Sequence, residues 1–222
     1  VHILANYSDQ GNHLLFEAQR MIYAGAFFPE FKEAPAWRKS GIDILNREIN
    51  VQVYNDGGQF ELDPHYHLAA INIFCKALGI ADVNGFRNEF PQEYLDTIEK
   101  MIMFYANISF PDYTNPCFSD AKITEKKEML KNYREWSKLF PKNETIKYLA
   151  SDGKEGALPD YMSKGFLKSG FFVFRNSWGM DATQMVVKAG PKGFWHCQPD
   201  NGTFEMWFNG KNLFPDSGSY VY

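Results

Sequence analysis

The feature that most limits the fold of this chain is a change of hydrophobic period part-way along it. In NHLLFEAQRMIYAGAFF (12–28), Leu14, Leu15, Ala18, Met21 and Ile22 recur at three- and four-residue spacing after a turn at 9–12, which predicts an amphipathic helix. PAWRKSGIDILNREINVQV (35–53) places Trp37, Ile42, Leu45 and Ile49 on one side, and NDGG (55–58) then signals a turn. HYHLAAINIFCKALGI, PQEYLDTIEKMIMFYANIS and ITEKKEMLKNYREWSKLF add further helical stretches, separated by Gly, Pro and Asn breaks and by a loop at 111–120. Such a succession suits helical hairpins in a bundle, solenoid or toroid. Beyond Pro141 the pattern turns β-rich, in GFFVFRNS, ATQMVVKAG and GTFEMWFNGKNLFPDSG, with Gly, Asn and Asp punctuation that predicts an antiparallel sheet or sandwich. The change falls near 145–160, around the linker-like SDGKEGALP (151–159).

With 222 residues, 45% hydrophobic and 17% aromatic, the chain can bury a core for one or two domains. The net charge of −4 and the scattered Lys and Arg argue against nucleic acid or a membrane surface as partner. No run of roughly 20 apolar residues, the length needed to span a bilayer, stands out. Cys75, Cys117 and Cys197 are far apart and odd in number, so a disulfide framework is not expected. VHILANYSDQGNH opens, and DSGSYVY closes, in mid-element, so the chain reads as an excerpt of a longer protein.

Three clusters could carry chemistry. DPHYHLAAINIF (63–74) sets His65 and His67 around Tyr66, with Pro64 placed to start a helix and make Tyr66 a first-turn residue. A metal pair, which needs an extended segment, an ordinary helix-entry cluster and a ligand-binding cluster all remain open there. SDQGNHLLFE (8–17) puts Asn12 and His13 at another helix entry, where backbone N–H groups favour anions, and Glu17 could orient His13. A polar N-cap is the plainer reading. FWHCQPDNGTFEMWF (194–208) holds His196 at the rim of the β region, where binding groups collect more often than in cores. Asp56, Glu61 and Asp63 in DGGQFELD are expected to be solvated turn carboxylates. No phosphate loop, nucleophile elbow or metalloprotease helix motif is present.

Together, DQGNHLLFEAQ, NDGGQFELDPHYH and GFWHCQPDNGTFEMWFNG…FPDSG resemble the heparinase II/III group of polysaccharide lyases along essentially the whole chain, nearest to its heparan-sulfate-cleaving members. The resemblance implies an α+β multidomain organisation: the C-terminal part of an (α/α) toroid over 1–145, followed by the start of an antiparallel β-sandwich over 146–222. It implies an active site in the cleft between them, with Asn12 binding the uronate carboxylate, Tyr66 and His196 catalytic, and His13 and His67 lining the cleft as substrate binders. It also implies a divalent metal beneath the histidine at Gln198 and Asp216, with a further ligand beyond residue 222. Amide and carboxylate oxygens favour calcium over zinc there.

The implied chemistry is β-elimination. The C5 proton of a uronic acid leaves, negative charge builds beside its carboxylate, and the 4-linked oxygen departs. A neutral imidazole, ordinary pKa about 6.5, suits the proton abstraction assigned to His196, and a tyrosine is a competent proton donor to the leaving oxygen. As tyrosinate, Tyr66 could serve as base instead, so the two could divide the work by substrate epimer. The expected partner is an acidic polysaccharide, heparan sulfate, met by a monomer that is periplasmic or secreted. Alginate or chondroitin elimination and non-catalytic glycan binding use overlapping residues. Glycoside hydrolysis fits less well, because no pair of facing carboxylates stands out.

Overall fold

The computed structural model describes residues 10–219 together with Asn6 and Ser8. From residue 10 onward, the described residues form six α-helices and then five strands: α1 Gly11–Phe27, α2 Ala34–Gln52, α3 Pro64–Val83, α4 Gln92–Ile108, α5 Lys126–Leu139 and α6 Glu144–Ala150, then β1 Lys164–Phe166, β2 Phe171–Arg175, β3 Thr183–Lys188, β4 Thr203–Phe208 and β5 Lys211–Asn212. The α-then-β order and the first five helices agree with the hydrophobic period. Helix α6 is too short, at seven residues, to show one, and it carries helical structure past residue 145. Asn143 caps it by accepting the Ile146 N–H at 2.9 Å.

The helices share one core, with Leu15, Leu45, Ile71, Phe74, Ile98 and Trp136 all essentially inaccessible. Helices α1 and α2 form a close hairpin that depends on glycine. A Cβ on Gly41 would lie 2.5 Å from the Ala18 carbonyl oxygen and 2.8 Å from Ile22 Cγ1, and one on Gly25 would lie 2.5 Å from the Ala34 carbonyl oxygen. Helix α3 departs from one expectation: by length and hydropathy its 20 residues could cross a membrane. More than half of that stretch is buried against its neighbours, which gives it a reason to be apolar within a core.

The strands form one antiparallel meander in the order β1-β2-β3-β4-β5. Its register pairs Val173 with Val186 and Val186 with Glu205, so one face carries Phe171, Val173, Arg175, Gln184, Val186, Lys188, Glu205 and Trp207, all buried. That face meets α4 and the loop after it through Phe104, Ile108, Phe110 and Phe118, a second core. Its charged residues are each engaged. Arg175 donates to the Asn107 carbonyl, and Glu205 accepts from the Cys117 N–H. Asp56 adds a joint by accepting from the backbone N–H groups of Lys168 at 2.7 Å and Ser169 at 2.9 Å, which fastens the turn after α2 to the β1–β2 turn.

Gly41→Ala is expected to lower folding stability by about 1–3 kcal/mol, the range for forcing extra volume into a packed contact. Denaturant unfolding checks it, and an unchanged midpoint would show that the hairpin tolerates wider spacing.

Candidate functional site

Two helix starts and one loop converge. The first is the N-terminus of α1, where Gly11 has φ +74° and Asn12 and His13 follow, Asn12 half-buried and His13 exposed. The second is the start of α3. Asp63 is its N-cap, accepting from the N–H groups of His65 at 2.7 Å and Tyr66 at 3.0 Å, so Tyr66 is fixed in the first turn as Pro64 suggested. The third is the β3–β4 connection. There the Phe194 N–H donates to the Phe60 carbonyl at 3.2 Å and the Phe194 ring stacks on Phe60 with centroids 4.7 Å apart. Trp195 lies against Gly11, where an added Cβ would stand 3.1 Å from its ring.

These attachments set His196 on Tyr66. The two rings stack with centroids 3.7 Å apart and planes 12° from parallel. Asn12, His13 and His196 line one cavity of about 550 Å³ with Gly11, Glu61 and Trp195. His196, at φ +61°, is held from behind by Asp120: its Nδ1 lies 3.2 Å from Asp120 Oδ2, and its carbonyl accepts the Asp120 N–H at 3.2 Å. Asp120 Oδ1 in turn accepts from the Gln198 amide at 2.8 Å. The neighbouring Ser119 is anchored to the sheet, since Lys188 Nζ donates to Ser119 Oγ and Asp200 Oδ1, each at 2.6 Å, inside a buried ion pair.

The expectation for His67 is corrected. It is 2% exposed, its Nδ1 accepts the Gln59 N–H at 3.1 Å, and its Nε2 donates to the Met101 carbonyl at 2.9 Å. Burial pushes its pKa down to about 4. It is a neutral core residue that ties α3 to α4, because one step along a helix turns a side chain by about 100° away from Tyr66. The carboxylates of DGGQFELD are not solvated either. Glu61 and Asp63 are each 1% exposed, and burial raises both pKa values to about 7.

Gln198 and Asp216, the expected metal ligands, have separate partners. Gln198 reaches Asp120, and Asp216 Oδ1 accepts the Gly218 N–H at 2.9 Å. Both offer hard oxygens, yet no group of three or more His, Cys, Asp or Glu among the described residues is placed to hold a metal. Sequence reasoning passed over Asp120 and Trp195, and it read Glu61 as a solvated turn carboxylate. Asp120 sat in a loop with no pattern, and Trp195 stood in the quoted motif beside His196 without a role.

The Heparinase II/III N-terminus family model matches residues 1–148, and the Heparinase II/III-like, C-terminal model matches 159–222. The chain belongs to the heparinase II/III family. Over its whole length it is 90% identical to a heparin-sulfate lyase of Bacteroides stercoris, covering 33% of that protein, and 51% identical to a heparin-sulfate lyase of Pedobacter heparinus, covering 34%. A solved heparinase III superposes with a TM-score of 0.94 at 99% identity, with all of this chain matched to 35% of that one. The chain thus spans about a third of the length of these heparinase-family relatives.

Asp120→Ala should release the His196 ring from Tyr66. The measurement is the proton NMR shift of the His196 ring, which should lose the ring-current displacement caused by the stack. An unmoved resonance would show that Asp120 does not hold the ring.

Proposed function

We propose that this chain carries the catalytic cleft of a heparinase III-type polysaccharide lyase, which cleaves heparan sulfate by β-elimination and leaves a 4,5-unsaturated uronate end. The observation that carries the reading is the Tyr66–His196 stack beside the cavity that Asn12 lines. His196 takes the C5 proton, with Asp120 orienting its ring. Asn12 donates a hydrogen bond to the uronate carboxylate as charge builds there, a form of stabilisation for which the loss of one donor costs about 3–4 kcal/mol. Tyr66 returns a proton to the departing O4, and the close stack lets acid and base act side by side on one sugar. His13 meets the polymer at the exposed edge of the cavity.

The helices are, on this reading, the closing part of an (α/α) toroid, and the sheet begins a β-sandwich. The support is that the sheet's other face is also apolar, with Phe174, Phe204 and Phe208 each more than two-fifths exposed. A second sheet would cover them. The relatives named as heparin-sulfate lyases support an acidic polysaccharide as partner; a monomeric, periplasmic or secreted enzyme is part of the same proposal.

Tyr66→Phe should keep the fold while lowering turnover at least about 100-fold, the scale of a lost acid–base group. Near-UV absorbance of the unsaturated product, followed in the full-length protein with heparan sulfate, is the readout. Full turnover by this variant would remove Tyr66 from the mechanism.

A divalent ion, calcium by the hardness of its donors, is proposed at Gln198 and Asp216, with its remaining ligands supplied by other parts of the protein. It would brace the strand region that follows His196 and take no part in bond making. Chelation should then lower the thermal midpoint, calcium should restore it, and Gln198→Ala or Asp216→Ala should abolish that response. Equal responses in wild type and both variants would place any ion elsewhere.

A further inference from the structure

The cavity contains one group that the elimination described above does not use. Glu61 lies on the segment between α2 and α3, is 1% exposed, and lines the same cavity as Asn12 and His196. Its Oε2 has no hydrogen-bond partner among the described residues. A buried carboxyl oxygen left in this way costs about 1–3 kcal/mol unless something arrives to pair with it. The α1 N-terminus faces the same space. Among the described residues no side chain caps it and its first turn carries no acid, so its backbone N–H groups and dipole favour an anion there.

An ionised Glu61 would be a poor neighbour for an acidic polymer, since it would place a second negative charge next to the first from a buried position. A neutral Glu61 has the opposite effect, because its O–H is a donor that seeks an acceptor. We propose that Glu61 acts as a neutral carboxylic acid that donates its proton in a hydrogen bond to the substrate's uronate carboxylate, forming a carboxyl–carboxylate pair beside Asn12 at the N-terminus of α1. The assignment rests on the lyase reading given above and names the second group that holds the reacting uronate.

Three physical points agree with it. Burial, opposed by a Gln59 side-chain hydrogen bond and reinforced by Asp63, raises the Glu61 pKa to about 7, so the acid form is well populated in neutral solution. A bound carboxylate then favours that form further, because two like charges at such a distance do not both persist. As C5 loses its proton, charge moves onto the substrate carboxylate and makes it a stronger acceptor, so the hydrogen bond strengthens towards the transition state and acts on kcat. No bond other than hydrogen bonds is made or broken by Glu61, and its proton stays on the pair. Sulfate esters are much weaker acceptors than carboxylates, so the pair favours a uronate over a sulfate in this position.

The titratable groups around Glu61 are Asp63 on its own segment, His13 from α1 and His196 from the β3–β4 connection. Only the protonated form of Glu61 donates, so its contribution is present at low pH and is lost as pH rises through about 7. Glu61→Gln keeps a donor of the same shape that cannot ionise. Glu61→Ala removes it.

The test uses the full-length protein, with unsaturated-uronate formation from heparan sulfate measured across pH and thermal unfolding measured for every variant. Glu61→Ala is expected to lower kcat about 100-fold, the scale of one lost donor, with a smaller rise in KM. Glu61→Gln is expected to recover at least about tenfold of that loss, and its kcat should not show the alkaline fall of the wild type. Should Glu61→Ala fail to fold, the Gln variant decides alone. The assignment is overturned if Glu61→Gln is as inactive as a variant lacking the base, if its alkaline limb matches the wild type, or if a folded Glu61→Ala protein turns over normally. A wild-type protein that yields no unsaturated product overturns the lyase reading and this assignment together, and that outcome is recognised by lying in the wild type.

Discussion

The cleft depends on three adjacent residues of the β3–β4 connection pressing on the helical unit. Phe194 stacks on Phe60, Trp195 packs on Gly11, and His196 stacks on Tyr66. Each contact reaches a different place: the turn after α2, the start of α1 and the start of α3. Aromatic pairs of this kind contribute about 0.5–1.5 kcal/mol each beyond burial. Their larger effect is geometric, because three contacts in a row fix the path of the loop and leave Asp120 to set how the His196 ring stands. Gly11 is essential to this arrangement, since its backbone has a positive φ and its missing Cβ leaves the space that Trp195 fills.

Behind the loop lies a polar layer that is buried and paired. Lys188 and Asp200 form an ion pair with side chains 3% and 10% exposed, and Ser119 bonds to both. Burying such a pair contributes little to net stability, but removing one partner is costly because the other is left charged and alone. The pair is better understood as fixing register. It holds 119–120 to β3 and to the turn at 198–201, and through Asp120 it defines how the His196 ring stands. Asp56 does comparable work at the neighbouring β1–β2 turn by gathering the Lys168 and Ser169 N–H groups.

Much of the fold was legible in the sequence, for reasons that also explain what was not. Helices α1 to α5 are long enough for a 3.6-residue period to show, and β2 to β4 lie in β-rich runs set off by Gly, Asn and Asp. Helix α6 and strand β1, seven and three residues long, are too short for either signal. Asn12, Tyr66 and His196 stood out because each sits at the edge of an element. His67 misled because neighbours in sequence diverge on a helix, and Glu61 and Asp63 misled because nothing local reveals that a distant loop will cover them. Asp120 carries no local signature at all, and its role exists only through the contact with His196.

The joints at Asp56, Gly11 and Lys188 have a consequence for how such a cleft handles a long, stiff polymer. They are struts made of short-range contacts: two backbone N–H groups on one carboxylate, a ring on a glycine, and a buried ion pair. On the lyase reading, a groove braced in this way would meet its substrate already shaped, so little of the binding energy would go into drawing the walls together, and more would remain to hold one sugar ring in register as the chain threads past.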